Sequence, residues 1–401
     1  MITRFRMPRP LRVVIISALA AVAGVVTTGH VALGQSFQTE APQAILVDAG
    51  TGTVLFEKNA DDLMVPASMA KVMTVEVIAD EMSRGRINLD SEFTISENAW
   101  RKGGGPSGGS TMFAALGSKV KLSDLLRGII VQSGNDACIA VAEGIAGNEA
   151  NFARMMTQRA RELGLPKSNF KNATGYHDPD QKTTARELAK LTLHMIENRP
   201  EIYKIFGEEE FTWNKIRQRN RNPLLSMNIG ADGVKTGNVD ESGYGLIGSA
   251  VQNEQRLVLV INGLKSARDR QNEARKLLDW GFRAFETRQL FAAGAAVGEA
   301  KVLGGASGSV SLVAKKPVSV LVPRGSSDRV SAKIIYQGPL VPPVEPGRQV
   351  GTLRVMRGDA LALEVPLYTG EAVGTGTLSQ RALDGLLELG TGAVRKAIFG
   401  S

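Results

Sequence analysis

Residues 64–77 read Met64-Val65-Pro66-Ala67-Ser68-Met69-Ala70-Lys71-Val72-Met73-Thr74-Val75-Glu76-Val77. Pro66 suits a helix start, because its missing N–H is one that a first turn leaves unbonded anyway. The helical stretch is expected to run to about Ser83. Met64, Val65, Met69, Val72, Met73, Val75 and Val77 make it apolar on nearly all sides, which is the pattern of a buried helix. Ser68 and Lys71 stand three residues apart and share one face. Burial strips water from the Lys71 amine and lowers its pKa. A partly neutral lysine can take the proton of Ser68 while that oxygen attacks a carbonyl. Alone, a Ser-x-x-Lys pattern is weak, since about one arises by chance in a chain of this length, most often on a solvated helix edge.

Two further polar motifs follow at 65 and then 102 residues' distance: Ser133-Gly134-Asn135 and Lys235-Thr236-Gly237. The first lies between the apolar run Leu125–Val131 and an apolar helix from Ala137. There Asn135 can cap a helix or face a substrate backbone, and Ser133 can relay a proton. The second closes a strand. Its lysine is either a solvated strand exit or a charge across the cleft that helps keep Lys71 neutral and attracts a carboxylate. Gly237 lets a backbone approach closely.

Around these motifs the pattern is α+β. Ala44–Val47 and Thr53–Phe56 flank Asp48-Ala49-Gly50-Thr51-Gly52 as a hairpin. Residues 121–147, 149–163 and 185–198 have helical periodicity. Strands are expected at 233–236, 243–251 and 256–261, then a helix over 269–285. One antiparallel sheet with helices against it accounts for 40–286. Beyond 288, runs at 309–313, 318–322, 330–336, 353–355 and 361–367 are split by Gly and Pro. They read as a small all-β domain over 288–372, without a titratable cluster suited to catalysis. From Leu378 the tail becomes amphipathic over 376–401, expected to lie in a membrane interface or to dock on its own β domain.

The chain has 401 residues, 43% hydrophobic and 22% charged, with a formal charge of +8. Arg4, Arg6, Arg9 and Arg12 precede the apolar run Val13–Val26, and residues 1–34 hold no acid. This segment reads as a secretory signal cleaved before Gln35. Fourteen apolar residues are short of the roughly 20 that span a membrane, an uncleaved anchor being the alternative. Without the signal, 44 basic residues stand against 40 acidic ones, and nucleic acid is not an expected partner. The single cysteine, Cys138, excludes an intramolecular disulfide. It is either a small buried hydrophobe or a thiol close enough to the motifs to block them when alkylated.

Together the motifs resemble those of the low-molecular-mass penicillin-binding proteins that act as D-alanyl-D-alanine carboxypeptidases. The supporting stretches are Pro66–Lys71, Gln132–Ala137 and Leu277-Leu278-Asp279-Trp280-Gly281-Phe282. The resemblance implies Ser68 as nucleophile, Lys71 as base and Ser133 as proton shuttle, with Asn135 and Lys235 binding substrate. It also implies an oxyanion hole from the backbone N–H groups of Ser68 and of the residue after Gly237. Thr236 and Arg270 match positions that hold the terminal carboxylate of a peptidoglycan stem peptide. β-Lactams are implied as acylating inhibitors, the outer face of the inner membrane as the location, and no cofactor or metal. Relatives often carry His after the Lys-Thr-Gly motif, where this chain has Asn238.

Other signals carry little. Gly103–Gly108 fits G-x-G-x-x-G but contains Pro106 and follows no strand. His177 and His194 do not form a His-Glu-x-x-His pair. The same motifs admit a D,D-endopeptidase, or a β-lactamase, although no clear Glu-x-x-x-Asn segment that would serve as a deacylating base stands between the second and third motifs. A non-enzymatic wall-binding protein is the alternative of another class.

Overall fold

Five strands order as β2-β1-β9-β8-β7 in one fully antiparallel sheet, to which every element of the first unit refers. The structure, a computed structural model, describes residues 37–325, 329–358 and 360–382. The secretory segment and the tail beyond Ala382 lie outside those residues. The chain forms two compact units that divide between Ala284 and Phe285.

In chain order the first unit holds β1 (Gln43–Asp48), β2 (Val54–Lys58), α1 (Lys71–Ser83) and a small hairpin of β3 (Glu92–Thr94) with β4 (Lys119–Lys121). Four helices come next: α2 (Leu122–Ile130), α3 (Asn135–Ala146), α4 (Glu149–Glu162) and α5 (Ala185–Asn198). A short α6 (Pro200–Tyr203) and the hairpin β5 (Glu210–Trp213)/β6 (Ile216–Arg219) lead to β7 (Ala231–Val239), β8 (Gly243–Gln252), β9 (Gln255–Leu264) and α7 (Ala267–Ala284).

Strand alternation assigns the two faces of the sheet. Ile45, Val47, Val258 and Val260 join the core under α1 to α5. Ala44, Leu46, Leu257, Leu259 and Ile261 join Ala274, Leu277, Leu278 and Phe282 of α7. Both faces are covered, which is why β1 and β9 read as continuous apolar runs. Gly281 lets α7 approach closely, since a Cβ there would meet Leu46 Cδ2 at 2.6 Å and Leu257 Cδ1 at 2.7 Å.

Within the helical layer, α1 is buried along most of its length. Its Glu76 is fully buried and still charged-partnered. It receives Arg159 of α4 at 2.8 and 3.0 Å, His194 of α5 at 3.1 Å and Arg199 at 3.3 Å. One carboxylate thereby ties three helical segments together.

The second unit is all β, with β10 (Phe285–Phe291), β11 (Ala296–Lys301), β12 (Ser309–Val313), β13 (Val318–Pro323), β14 (Val330–Tyr336), β15 (Gln349–Arg357) and β16 (Ala360–Thr369). Five of them order as β11-β12-β16-β15-β14, while β10 pairs with β13. Both assemblies contribute to one core, with Val318, Val320 and Val322 beside Val297, Val310 and Leu353. The helix expected to reach Phe285 ends at Ala284 instead, because Phe285 enters β10. Leu378–Ala382 is helical and opens with a capping box. The Gln380 N–H donates to Thr377 Oγ1 and the Thr377 N–H to Gln380 Oε1. Among the described residues, no helix is long and apolar enough to cross a membrane.

Candidate active site

Ser68 belongs to a single 3-10 turn, Ala67–Ala70, that runs into α1 at Lys71. In 3-10 geometry residues three apart eclipse one another, which sets Ser68 over Lys71 more directly than an α-helix would. Ala67 enters the turn at φ +47°. Such a left-handed conformation is costly for a residue with a Cβ and is found where surrounding packing enforces it. Gly175 supplies part of that packing, since a Cβ there would lie 2.0 Å from the Ala67 carbonyl oxygen.

The sheet supplies the rest through two glycines. Gly237 of β7 and Gly245 of β8 are directly paired. A Cβ on Gly237 would meet Pro66 O at 2.8 Å, Met69 Cγ at 3.1 Å and Ala67 Cβ at 3.2 Å, and one on Gly245 would meet Met69 Cε at 2.6 Å. The bare backbone at 237 therefore seats the serine turn.

Lys71 is fully buried. Its Nζ stands 3.0 Å from Ser68 Oγ, and it donates to Asn135 Oδ1 at 2.8 Å and to the Thr174 carbonyl at 2.5 Å. Burial pulls the amine down to about 8; Arg221 adds to this, while Asp136 and Glu149 work against it. Asn135 Oδ1 and the Thr174 carbonyl can only accept. They take both hydrogens of a neutral amine and leave its lone pair for the Ser68 hydroxyl.

Ser133 sits between α2 and α3 at φ +64°, and its Oγ is buried without a hydrogen bond. Asp136 anchors the wall beside it, accepting from Thr111 Oγ1 at 2.7 Å and from the N–H groups of Met112 and Ala114. Lys235 and Thr236 are buried on β7. Burial holds Lys235 well below the usual lysine range, helped by the charges of Lys71 and Arg221. Lys71 and Lys235 disfavour each other's charge, and Arg221, which the sequence gives no reason to single out, disfavours both. Arg270, in the first turn of α7, stacks 5.6 Å above the Tyr244 ring, and its Nε is buried without a partner. Cys138 is fully buried, and burial pushes its thiol up to about 12, so it stays protonated at neutral pH. Thr174 and Tyr176 were also unread, and both touch the Lys71–Asn135 pair directly or through one contact. Among the described residues no His, Cys, Asp and Glu cluster could hold a metal ion.

Residues 29–266 match the D-alanyl-D-alanine carboxypeptidase family model, and residues 285–375 match that of the penicillin-binding protein 5 C-terminal domain. The D-alanyl-D-alanine carboxypeptidase DacC of Escherichia coli is 40% identical over 85% of this chain and 86% of its own. DacA of Haemophilus influenzae is 40% identical over 74% of this chain and 75% of its own. The crystal structure of penicillin-binding protein 5 from Haemophilus influenzae aligns with a TM-score of 0.77 at 36% identity, covering 84% of this chain and 98% of that one. Fold and relatives define a serine-type hydrolase of the penicillin-binding-protein class. Within that class, the chain belongs to the D-alanyl-D-alanine carboxypeptidase family.

Proposed function

We propose that this protein removes the terminal D-alanine from peptidoglycan stem pentapeptides through an acyl-enzyme on Ser68. The observation that carries the reading is the Lys71 amine, held by two obligate acceptors with its remaining valence toward Ser68 Oγ. In this mechanism Ser68 Oγ bonds to the penultimate D-alanine carbonyl carbon while its proton passes to Lys71. The backbone N–H groups of Ser68 and Asn238 receive the oxyanion. The C–N bond then breaks, and Ser133 delivers the proton to the departing amine. Water next attacks the ester while Lys71 accepts its proton; the C–Oγ bond breaks as that proton passes to Ser68 Oγ, freeing the shortened peptide and restoring the serine.

Arg270, Thr236 and Lys235 draw the terminal carboxylate into place, and Asn135 donates to the substrate backbone. A β-lactam presents its strained amide to the same serine and acylates it. The basic and apolar leader accords with export to the periplasm. The amphipathic tail accords with attachment to the outer face of the inner membrane, and the β domain over 288–372 with spacing of the catalytic domain, 40–286.

Mass spectrometry of the mature protein after penicillin treatment tests the reading. One covalent adduct is expected on the wild type and none on Ser68→Ala. An adduct that persists on Ser68→Ala overturns it.

A further inference from the structure

We propose that Tyr176 is a positioning residue for the Lys71 base, acting through the orientation of the Asn135 side-chain amide. The inference rests on the reading of Lys71 as base. An asparagine amide can sit two ways round, with oxygen and nitrogen exchanged. Here only one orientation serves: Oδ1 must face Lys71, so that the amine's hydrogens are consumed by acceptors. Reversed, the amide would aim an N–H at the lone pair that Ser68 needs.

Tyr176 supplies what holds it. Asn135 Nδ2 donates to the Tyr176 hydroxyl oxygen at 2.9 Å, and that hydroxyl donates to the Lys102 carbonyl at 2.6 Å. A carbonyl can only accept, so the phenol proton is committed to Lys102 and the phenol oxygen is left to accept. The chain of donors therefore has one direction, from the Asn135 amide to the phenol to the carbonyl.

Both ends of this chain are fixed by backbone. Lys102 precedes Gly103, where a Cβ would stand 2.3 Å from the Asp136 nitrogen, so this strand of chain lies hard against the start of α3. The Tyr176 N–H donates to Thr174 Oγ1 at 3.1 Å, and its carbonyl accepts from Asn172 Nδ2 at 3.0 Å and Gln181 Nε2 at 3.1 Å. The same loop brings the Thr174 carbonyl to Lys71. Burial also raises the phenol pKa, which keeps it a donor toward Lys102.

Tyr176→Phe removes one oxygen from a side chain that is 37% exposed. Its effect is read as the second-order rate of acylation by a fluorescent penicillin from pH 6 to 10, normalised to active-site titre so that unfolded chain does not enter. With the amide free to reverse, the alkaline plateau is expected to fall about tenfold, because the base is no longer held in line. The midpoint of the acid limb is expected to move to lower pH, since protonated Lys71 loses an acceptor. A purely structural tyrosine would leave that midpoint in place. A variant profile with the wild-type midpoint, or with a plateau within twofold, overturns the proposal. Lys71→Arg measured alongside separates the two claims. If wild type shows no limb that depends on Lys71, the base reading fails and the latch with it. If the limb is present in wild type and Tyr176→Phe superimposes on it, only the latch fails.

Discussion

The acylation rate is expected to rise with pH through the titration of Lys71, and the size of that rise follows from its burial. An ordinary lysine titrates at 10.5, whereas burial brings Lys71 to about 8. At pH 7 the neutral fraction then becomes roughly one in eleven, against roughly one in three thousand for an exposed lysine. Burial thus multiplies the reactive population by roughly 300, equivalent to about 3 kcal/mol. The sign is set by the direction of the shift: the neutral amine is the competent form, so activity is gained as pH rises through the folded value. Between pH 7 and pH 9 the rate of a fluorescent penicillin, followed by stopped flow, should increase roughly tenfold and then level. Lys235 is depressed as well, so the assignment requires Lys71→Arg, whose guanidinium remains charged throughout. That variant should lose the limb and at least about a hundredfold in rate. A wild-type rate that is flat from pH 7 to 9, or a limb that survives in Lys71→Arg, would mean that Lys71 is not the titrating base.

Two other perturbations test neighbouring parts of the argument. Glu76→Ala leaves two arginines and a histidine without their shared carboxylate inside the helical layer. Because those arginine side chains retain 17% exposure, the loss is set at the lower end for broken buried pairs, about 3 kcal/mol by guanidinium unfolding; a loss under about 1 kcal/mol would show that the network is dispensable. Arg270→Ala should raise KM about tenfold for peptides ending in a free carboxylate and leave the matching C-terminal amides nearly unchanged. Equal changes for both substrates would remove Arg270 from carboxylate binding.

Much of the catalytic unit is legible in the sequence because its signals are local. The period of residues 185–198 gives α5 at its observed bounds, and the apolar runs near Val258 give β9. Ser68 and Lys71 are neighbours on one turn, so their meeting needs no knowledge of the fold. The partners of Lys71 are another matter. Thr174 lies 103 residues away, and Tyr176 joins Asn135 across 41 residues and Lys102 across 74. No periodicity carries such contacts; they exist only once the loop after α4 has closed over α1. The β5–β6 hairpin is invisible in the sequence for a different reason. Its turn places Lys215 at φ +65° after Asn214 at +47°, and lysine gives no turn signal. β10 is not foreseen: the helical reading takes in Phe285, and Glu286–Phe291, with polar residues at 286–289, shows no strand alternation. Gly237 is visible in the sequence, but that the serine turn packs against it is not, since a glycine in sequence shows only that something comes close.

The seat beneath Met69 bears on how this cleft can change under antibiotic pressure. Residues 69, 237 and 245 share one tightly filled volume, so each fixes the size allowed at the others. A methyl added at 237 would press on the Pro66 carbonyl and so on the serine turn, impairing hydrolysis of peptide and capture of drug together, whereas one at 245 meets only the movable ends of Met69 and Asn262. Enlarging position 237 therefore costs the native reaction as much as it costs the drug, and variants that escape should arise elsewhere in the pocket.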